Sequence, residues 1–502
     1  MFQPAARSYL AVIVALLLLG ATDANGATYV VRADGSGDFP TIQEAINAVE
    51  NGDVVELTDG TYTGEGNRDV EFLGKAVTLC SQSGNAAACI IDCDGSETDP
   101  HRGFHLRDHE EPETVIRDLT VMRGWDADQG GAVWLQAASP TIIGCVFNSC
   151  YAYYGGGIYL GDGASPHVIE CHITENLGGF GAGIFLLASA SPVFEGCTIR
   201  SNEVLYEGGG VACRESATPE FRDCLFEQNA APYRAGAIII DDYCDPVAVT
   251  GCTFLTNASA RGGAAVCCGV ATGTFKNCTF RSNIGSTDGA AFYISCSGTA
   301  VVENCIIAAS TSGEAIFCNS AGSAEVACTD IYGNAGGDWV QCIADQLGIN
   351  GNFSADPVFC DAVAGDCTLH HSSPCLPGRH PDGVPCGLIG AEPIGCPATG
   401  VEVPIAPREA IHLSIAGPNP FRDAVRIAYD LSGSNGRPID VAIYDPAGRC
   451  VRSLVRGERD PGPHQIVWDG TDEGGAVLPS GVYFCRFRAG GAERIRPVHR
   501  IR

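Results

Sequence analysis

A glycine returns every 26 or 27 residues through the middle of this 502-residue chain, at Gly131, Gly157, Gly183, Gly210, Gly236, Gly263 and Gly289. A cysteine keeps the same beat at Cys145, Cys171, Cys197, Cys224, Cys252, Cys278, Cys305 and Cys328. An asparagine follows it by five residues at Asn176, Asn202, Asn229, Asn257 and Asn283, a slot taken by Cys150 in the first copy and Ser310 in a late one. Such a period implies a solenoid, in which each copy buries its apolar face only against its neighbours. One copy holds three short runs, Gly-Gly-Ile-Tyr-Leu at 156–160, Ser-Pro-His-Val-Ile at 165–169 and Cys-His-Ile at 171–173. They are too short and too closely spaced for hairpins. They fit a three-sided coil whose strands pair one turn along, about 4.8 Å away. The expected fold is all-β: a right-handed parallel β-helix of 26-residue coils, followed by a small β-sandwich. A leucine-rich or helical solenoid lacks its periodicity here.

The pattern assigns roles inside the coil. Cys224 with Phe226, Cys252 with Phe254 and Cys278 with Phe280 point inward. The asparagines sit at a corner, where each side chain can bond the next and satisfy amides that no strand reaches. Glycines serve a positive φ or a close approach of coils. Stacked thiols with parallel Cβ vectors are expected to stay free and to behave as small hydrophobes.

Both ends of a solenoid need covering. Thr41-Ile42-Gln43-Glu44 is a capping box, and Ile42, Ala45, Ile46 and Val49 follow at helical spacing, predicting a helix over 42–50 closed by Asn51-Gly52. Residues 342–396, with Cys360, Cys367, Cys375, Cys386 and Cys396, predict a disulfide-pinned cap. A further pair is expected between Cys450 and Cys485. Before the solenoid (27–341 plus its cap), residues 1–26 read as a secretory signal: Arg7, an apolar run from Tyr9 to Leu19, then Ala24-Asn25-Gly26. No later run is apolar enough to span a membrane. Residues 397–412 read as a linker to a domain at 413–502.

Lysine and arginine total 30 against 59 acidic residues, a net charge of −29. Residues 401–502 hold 14 Arg and 12 acidic residues, +2, so the part before them carries −31. That charge excludes nucleic acid and anionic lipid as partners and disfavours polyuronates unless calcium bridges them. The 26 cysteines point to an oxidising, extracellular or cell-surface location.

Three resemblances follow. Gly-Gly-Ala-Val at 130–133 and Gly-Gly-Gly-Ile at 155–158, with Ile173 to Asn176, Ile199 to Asn202, Phe226 to Asn229, Phe254 to Asn257 and Phe280 to Asn283, resemble the repeats of chlamydial polymorphic outer membrane proteins, which implies an adhesin-like β-helix. Asp34-Gly35-Ser36-Gly37-Asp38-Phe39, Thr41-Ile42-Gln43, Ala45-Ile46 and Gly60-Thr61-Tyr62 resemble the start of pectinesterases and the broader pectin-lyase-like group, which implies that fold more than an activity. Pro418-Asn419-Pro420-Phe421, Tyr444-Asp445 with Gly448-Arg449, His464, Trp468-Asp469-Gly470 and Ser480-Gly481-Val482-Tyr483-Phe484 resemble the immunoglobulin-like domain of flagellar hook-capping proteins and type IX sorting domains. That likeness implies a partner in secretion or attachment machinery.

The catalytic motifs of pectinesterases and polygalacturonases are absent. Asp241-Asp242 survives as a paired aspartate and is expected to be a solvated loop. Arg200 and Arg281 share an outward coil position three coils apart, and His167 and His172 lie in regular coils; all four are expected on the surface. Asp92, Asp94, Glu97 and Asp99 resemble part of a calcium loop, so calcium is a possible cofactor. His105, His109, Glu110, Glu111 and Glu113 form a second dense patch. Cys80, Cys89 and Cys93 could join His101 on zinc, with disulfide pairing favoured. Tyr154, Phe180, Tyr206 and Tyr233 fall on successive coils beside Tyr151 and Tyr153, either as a self-stacking ladder or as a ligand-binding platform for sugar rings. The expected function is adhesion or carbohydrate binding by an exported protein; the rival is a polysaccharide lyase or hydrolase with a non-standard site. Carboxylates and arginines converging in a groove would mark the enzyme, and an aromatic face without them the binding module.

Overall fold

A computed structural model describes residues 26–319, 321–362, 365–396, 412–415, 421, 424–430, 438–444, 449–459, 463–479, 481–489 and 492–500. The signal over 1–26 (but for its last residue), the linker at 397–412 (but for its last residue) and Pro418-Asn419-Pro420 lie outside them. The chain divides into a unit of residues 26–398 and a C-terminal unit.

The first unit is a parallel β-helix. Its described strands form three long sheets of twelve, eleven and nine strands. One coil runs through Ile158–Gly161, His167–Ile169 and His172–Thr174 before the next begins at Ile184–Leu186. Each strand pairs with its equivalent one coil on: Ile158 with Ile184, Val168 with Phe194, Ile173 with Ile199. A fourth, unexpected sheet lies between the asparagine and the repeat glycine, built from Trp125–Gln129, Tyr151–Tyr154, Leu177–Phe180 and Glu203–Glu207. It forms because the asparagine holds the corner and leaves the following residues extended and in register.

Each inner corner is built by side chains. Asn202 Oδ1 accepts from both the backbone N–H and the Nδ2 of Asn176, each at 3.0 Å, while Asn202 Nδ2 donates to the Ile173 carbonyl at 2.9 Å. The pattern repeats through Asn229, Asn257 and Asn283, all buried. The thiols do more than fill space. The Cys145 and Cys224 backbone N–H groups donate to the sulfurs of Cys171 and Cys252 at 3.3 and 3.4 Å, and Cys171 Sγ lies 3.3 Å from the Ile169 carbonyl. The last rung is Thr329 rather than Cys328: Cys305 N–H donates to Thr329 Oγ1 at 3.3 Å. Inside, Phe226, Phe254 and Phe280 stack with centroids 4.6 Å apart; truncating one to alanine would cost about 3–5 kcal/mol. The repeat glycines serve close approach. A Cβ on Gly157 would lie 2.5 Å from the Gly183 carbonyl oxygen of the next coil.

Helix α1, Ile42–Ala48, plugs the first coil with Ile42, Ala45 and Ile46. Thr41 Oγ1 accepts from the Glu44 N–H at 3.3 Å. The helix ends short of Asn51-Gly52, because Val49 is already extended. At the far end the described disulfides are Cys318–Cys342, Cys328–Cys386 and Cys360–Cys396. The cap is thus pinned both to itself and to the last coils, while Cys367 and Cys375 are free.

In the C-terminal unit His412–Ile415, Val425–Asp430 and Pro463–Trp468 form one antiparallel sheet. Cys450–Glu458, Pro438–Tyr444, Gly481–Ala489 and Ala492–Arg500 form another. Trp468, Tyr483, Phe487 and Val441 lie in its core. The expected Cys450–Cys485 bond is absent: the two cysteines belong to strands on opposite sides of Pro438–Tyr444, and both are free.

Candidate functional site

Two aromatic ladders climb the outside of the β-helix and meet in a groove. The first is the anticipated one. Tyr154, Phe180, Tyr206 and Tyr233 stack nearly parallel, with centroids 5.8, 5.0 and 6.4 Å apart. The rings of successive coils therefore stack on one another. Tyr233 is the last: Ala260 takes its position in the next coil, and Tyr233 is 58% exposed. The second ladder escaped sequence reading. On the nine-stranded sheet Trp134, Tyr159 and Phe185 are in register, followed by Ala212, Ile239 and Val266, then Tyr293 and Phe317. These side chains alternate with inward ones such as Leu160 and Leu186, so the apolar outer stripe was hidden in continuous apolar runs. Tyr154 and Phe185 close the corner at 4.8 Å.

The groove encloses about 630 Å³ beside Tyr154, Tyr159, Phe180, Phe185, Tyr206 and Tyr233, a volume suited to a small ligand or a few sugar rings. Its charged end arises from one extra residue. The strand pairing shifts between Gly178 and Phe180, so that Phe180 aligns with Glu207 and not with Tyr206. Glu207 thus enters the register line of the rings, and Arg234 follows it in the next coil. The 27-residue step from Gly183 to Gly210 was the sequence trace of that insertion.

Glu207 is held from two sides. Arg234 donates to it through Nε at 2.6 Å and Nη2 at 3.0 Å, and Arg214 through Nη2 at 2.9 Å. Arg214 Nη1 reaches Asp241 at 3.2 Å and Asp242 at 3.3 Å, and its guanidinium lies 5.5 Å from the Phe180 ring centroid. Arg234 also donates to Cys268 Sγ at 3.3 Å. Burial opposes the charge on Arg234, yet the hydrogen bond to Glu207 and the nearby Cys268 and Asp241 keep it firmly protonated. Glu215 and Asp242 are delivered by tight turns with φ of 51° and 52°, the left-handed region that aspartate tolerates better than most residues. Asp241-Asp242 is therefore no solvated loop: Asp241 is buried and both carboxylates bind Arg214. Burial pushes the Tyr159 phenol up to about 12, aided by the charges of Asp162, Asp128 and Glu215.

The other candidates are not brought together here. Arg200 pairs with Glu227 at 3.3 Å on the outer face of the eleven-stranded sheet. Arg281 is buried, not on the surface: the cap covers it, its guanidinium bonding the Ala362 carbonyl and lying 5.6 Å from the Phe359 ring centroid. His167 faces Glu195 at 3.4 Å, and His172 is exposed. The calcium candidates do not converge. Arg123 holds Asp92 and Asp94, Asp99 turns to His101 at 3.2 Å, and Glu97 shares none of these contacts. Glu110 is buried, accepting from Gly74 and Asp108 backbone N–H groups. Cys80, Cys89 and Cys93 are buried free thiols, while His101 binds Asp69. Among the described residues no group of three His, Cys, Asp or Glu side chains is arranged to hold a metal. No described helix is long and apolar enough to cross a membrane.

Comparison with known proteins agrees with this architecture. A family model described as a right-handed β-helix region matches residues 79–254, and one described as the FlgD Ig-like domain matches 423–491. The chain is thus a right-handed parallel β-helix followed by an immunoglobulin-like domain. The likeness of its repeats to chlamydial outer membrane proteins gains no support from these matches. No curated protein matches. Among solved structures, a pectin methylesterase from carrot is 15% identical, with a TM-score of 0.31 over 48% of this chain and 85% of that one. A mutant of the PL6-family alginate lyase AlyGC is 14% identical, with a TM-score of 0.35 over 74% and 58%. The enzymatically active domain of bacteriophage CBA120 tailspike protein 4 is 11% identical, with a TM-score of 0.28 over 91% and 64%. This chain spans less than two thirds of the last two. At these scores none of the three bears on what it does.

Proposed function

We propose that this chain is a carbohydrate-active β-helix protein that holds a polysaccharide in the groove and hydrolyses it beside Tyr206 and Tyr233. The supporting observation is Glu207, a carboxylate fixed by Arg214 and Arg234 in an aromatic-walled groove. This is the convergence of carboxylates and arginines that separates an enzyme from a passive binding face. In this reading Glu207 draws the proton from a water that attacks the anomeric carbon, the glycosidic bond breaks, and the departing oxygen is protonated from solvent. A lyase is disfavoured, because both guanidiniums already neutralise protein carboxylates and neither is left for a uronate.

Adhesion without turnover is the second reading. The described carboxyls with raised pKa are Asp118, Asp223 and Asp330, chiefly through burial, and none lines the groove. The full chain, incubated with neutral and charged polysaccharides with and without calcium, separates the two. Retention with new reducing ends, lost in Glu207→Gln while retention persists, supports hydrolysis. Retention without new ends supports adhesion; no retention of any polymer defeats both. The C-terminal domain is proposed to serve secretion or attachment to the cell surface, on the strength of its Ig-like match. Removing residues 413–502 should leave the β-helix inside the producing cell or release it unattached.

A further inference from the structure

We propose that the polymer taken by this groove is built of amino sugars carrying free ammonium groups, a β-linked glucosamine chain being the simplest case. This rests on the groove being a glycan site, and names the chemical class that fits it. Glu207 and Glu215 line the groove, and Asp241 and Asp242 meet its Arg214, so four carboxylates stand against two guanidiniums, Arg214 and Arg234, leaving two negative charges in excess. Neither guanidinium is available to an anionic sugar. Arg214 and Arg234 together hold Glu207, whose side chain is only 15% exposed, and turning both to an anionic sugar would leave that charge buried and unpaired, which costs more than a new ion pair with the sugar would contribute. Uronates and sulfated sugars are rejected on that ground.

A cation meets the opposite situation. Glu215 has no ion-pair partner among the described residues, and the Asp242 side chain, 48% exposed, keeps oxygen surface turned to solvent beyond its bond to Arg214. An ammonium group between them would form charge-assisted hydrogen bonds. The open face of Tyr233 and the Tyr206 ring lie on the same groove, so a sugar ring can rest on the one while a neighbouring ammonium meets the other. Neutral glucans would use only the rings and leave the charge surplus unanswered.

The test must exclude simple attraction between a polycation and an acidic protein. The full chain is titrated at physiological salt, where exposed charges are screened beyond about 8 Å, with glucosamine pentamer, its fully N-acetylated counterpart, a neutral glucan pentamer and an oligouronate. The expected result is at least tenfold tighter binding of the glucosamine pentamer than of the acetylated one. Asp242→Asn with Glu215→Gln should erase that preference and leave the acetylated pentamer unaffected. Glu325→Gln, at an exposed site on the twelve-stranded sheet, should change nothing. Equal or tighter binding of the acetylated, neutral or uronate pentamer overturns the amino-sugar assignment but leaves the groove a glycan site. An equal loss in Glu325→Gln overturns the assignment as unspecific attraction. If no pentamer binds and Tyr233→Ala has no effect on any polysaccharide, the groove reading itself falls.

Discussion

Asn229 and Tyr233 lie four residues apart on one coil, and each belongs to a ladder of the same period. The asparagine ladder runs through Asn176, Asn202, Asn229, Asn257 and Asn283, sealed from water, each amide bonding the next. The aromatic ladder beside it covers four coils, is half open to solvent, and stops at Tyr233 where Arg234 and Glu207 take over the register. A buried polar side chain must find every partner inside the fold, so its ladder tolerates no interruption. An exposed ring loses little when its neighbour changes, so its ladder is free to end. The end is where the chemically capable groups gather.

The contrast is broken most severely at Asn229. Asn229→Ala removes the acceptor of the Asn202 backbone N–H and the side-chain donor to the Ile199 carbonyl, and takes one of the two partners from Asn202 Nδ2 and from Asn257 Oδ1. At about 1–3 kcal/mol for each buried orphan, a loss of roughly 3–6 kcal/mol is expected, read as a collapse of the urea midpoint. A fall below about 1 kcal/mol would show that the corner does not depend on its side chains.

The asparagine ladder carries no titrating group, so pH separates it from the cap. Asp330, at the last coil, is held by the Ala355 N–H at 3.0 Å and the Cys375 thiol at 3.3 Å, both from the cap. Burial pushes its carboxyl up to about 7. Because the folded value lies above the unfolded one, folding favours the protonated form. This contribution is complete below the unfolded value near pH 4 and is lost as pH rises through 7, by up to about 4 kcal/mol. Unfolding followed between pH 4 and 8 should show that slope, and Asp330→Asn should flatten it.

Tyr233→Ala sharpens the comparison from the exposed side. With one stacked partner and 58% exposure, it should lower stability by about 0.5–1.5 kcal/mol at most while reducing polysaccharide retention about tenfold, near 1.4 kcal/mol. Smallest of all is Arg200→Ala. Its pair with Glu227 is half exposed, and such pairs contribute about 0–1 kcal/mol. Neither the unfolding midpoint nor polymer cleavage should move.

The β-helix was legible because its signals are local and repeated: glycine, cysteine and asparagine return at one spacing, and each return states the same contact. Three of the four ladder tyrosine and phenylalanine positions could even be counted back from the same glycine offset. Glu207 could not, since its placement depends on one inserted residue and on Arg214 and Arg234, which reach it from two other places along the chain. Asp241 read as solvent-facing for the same reason: its partner Arg214 sits 27 residues earlier, a distance that becomes a contact only when coils stack. Arg281 was hidden by the cap, whose path over the coils has no periodicity to read. The Cys450 and Cys485 expectation failed because alternating strand patterns do not reveal which strand lies between two others.

The thiol column has a consequence for how this molecule is born. In the nascent chain Cys145, Cys171, Cys197, Cys224, Cys252, Cys278 and Cys305 are interchangeable partners for any oxidant or for one another. In the finished coils all are buried; burial, then the Cys145 thiol, drives Cys171, and the Cys224 thiol, then burial, drives Cys197 strongly toward the unreactive protonated form. Wherever an oxidant is present, maturation is then a race. Each turn of winding that closes over its sulfur removes one competitor, and a stall midway leaves the remaining cysteines open to covalent scrambling that would jam every later turn.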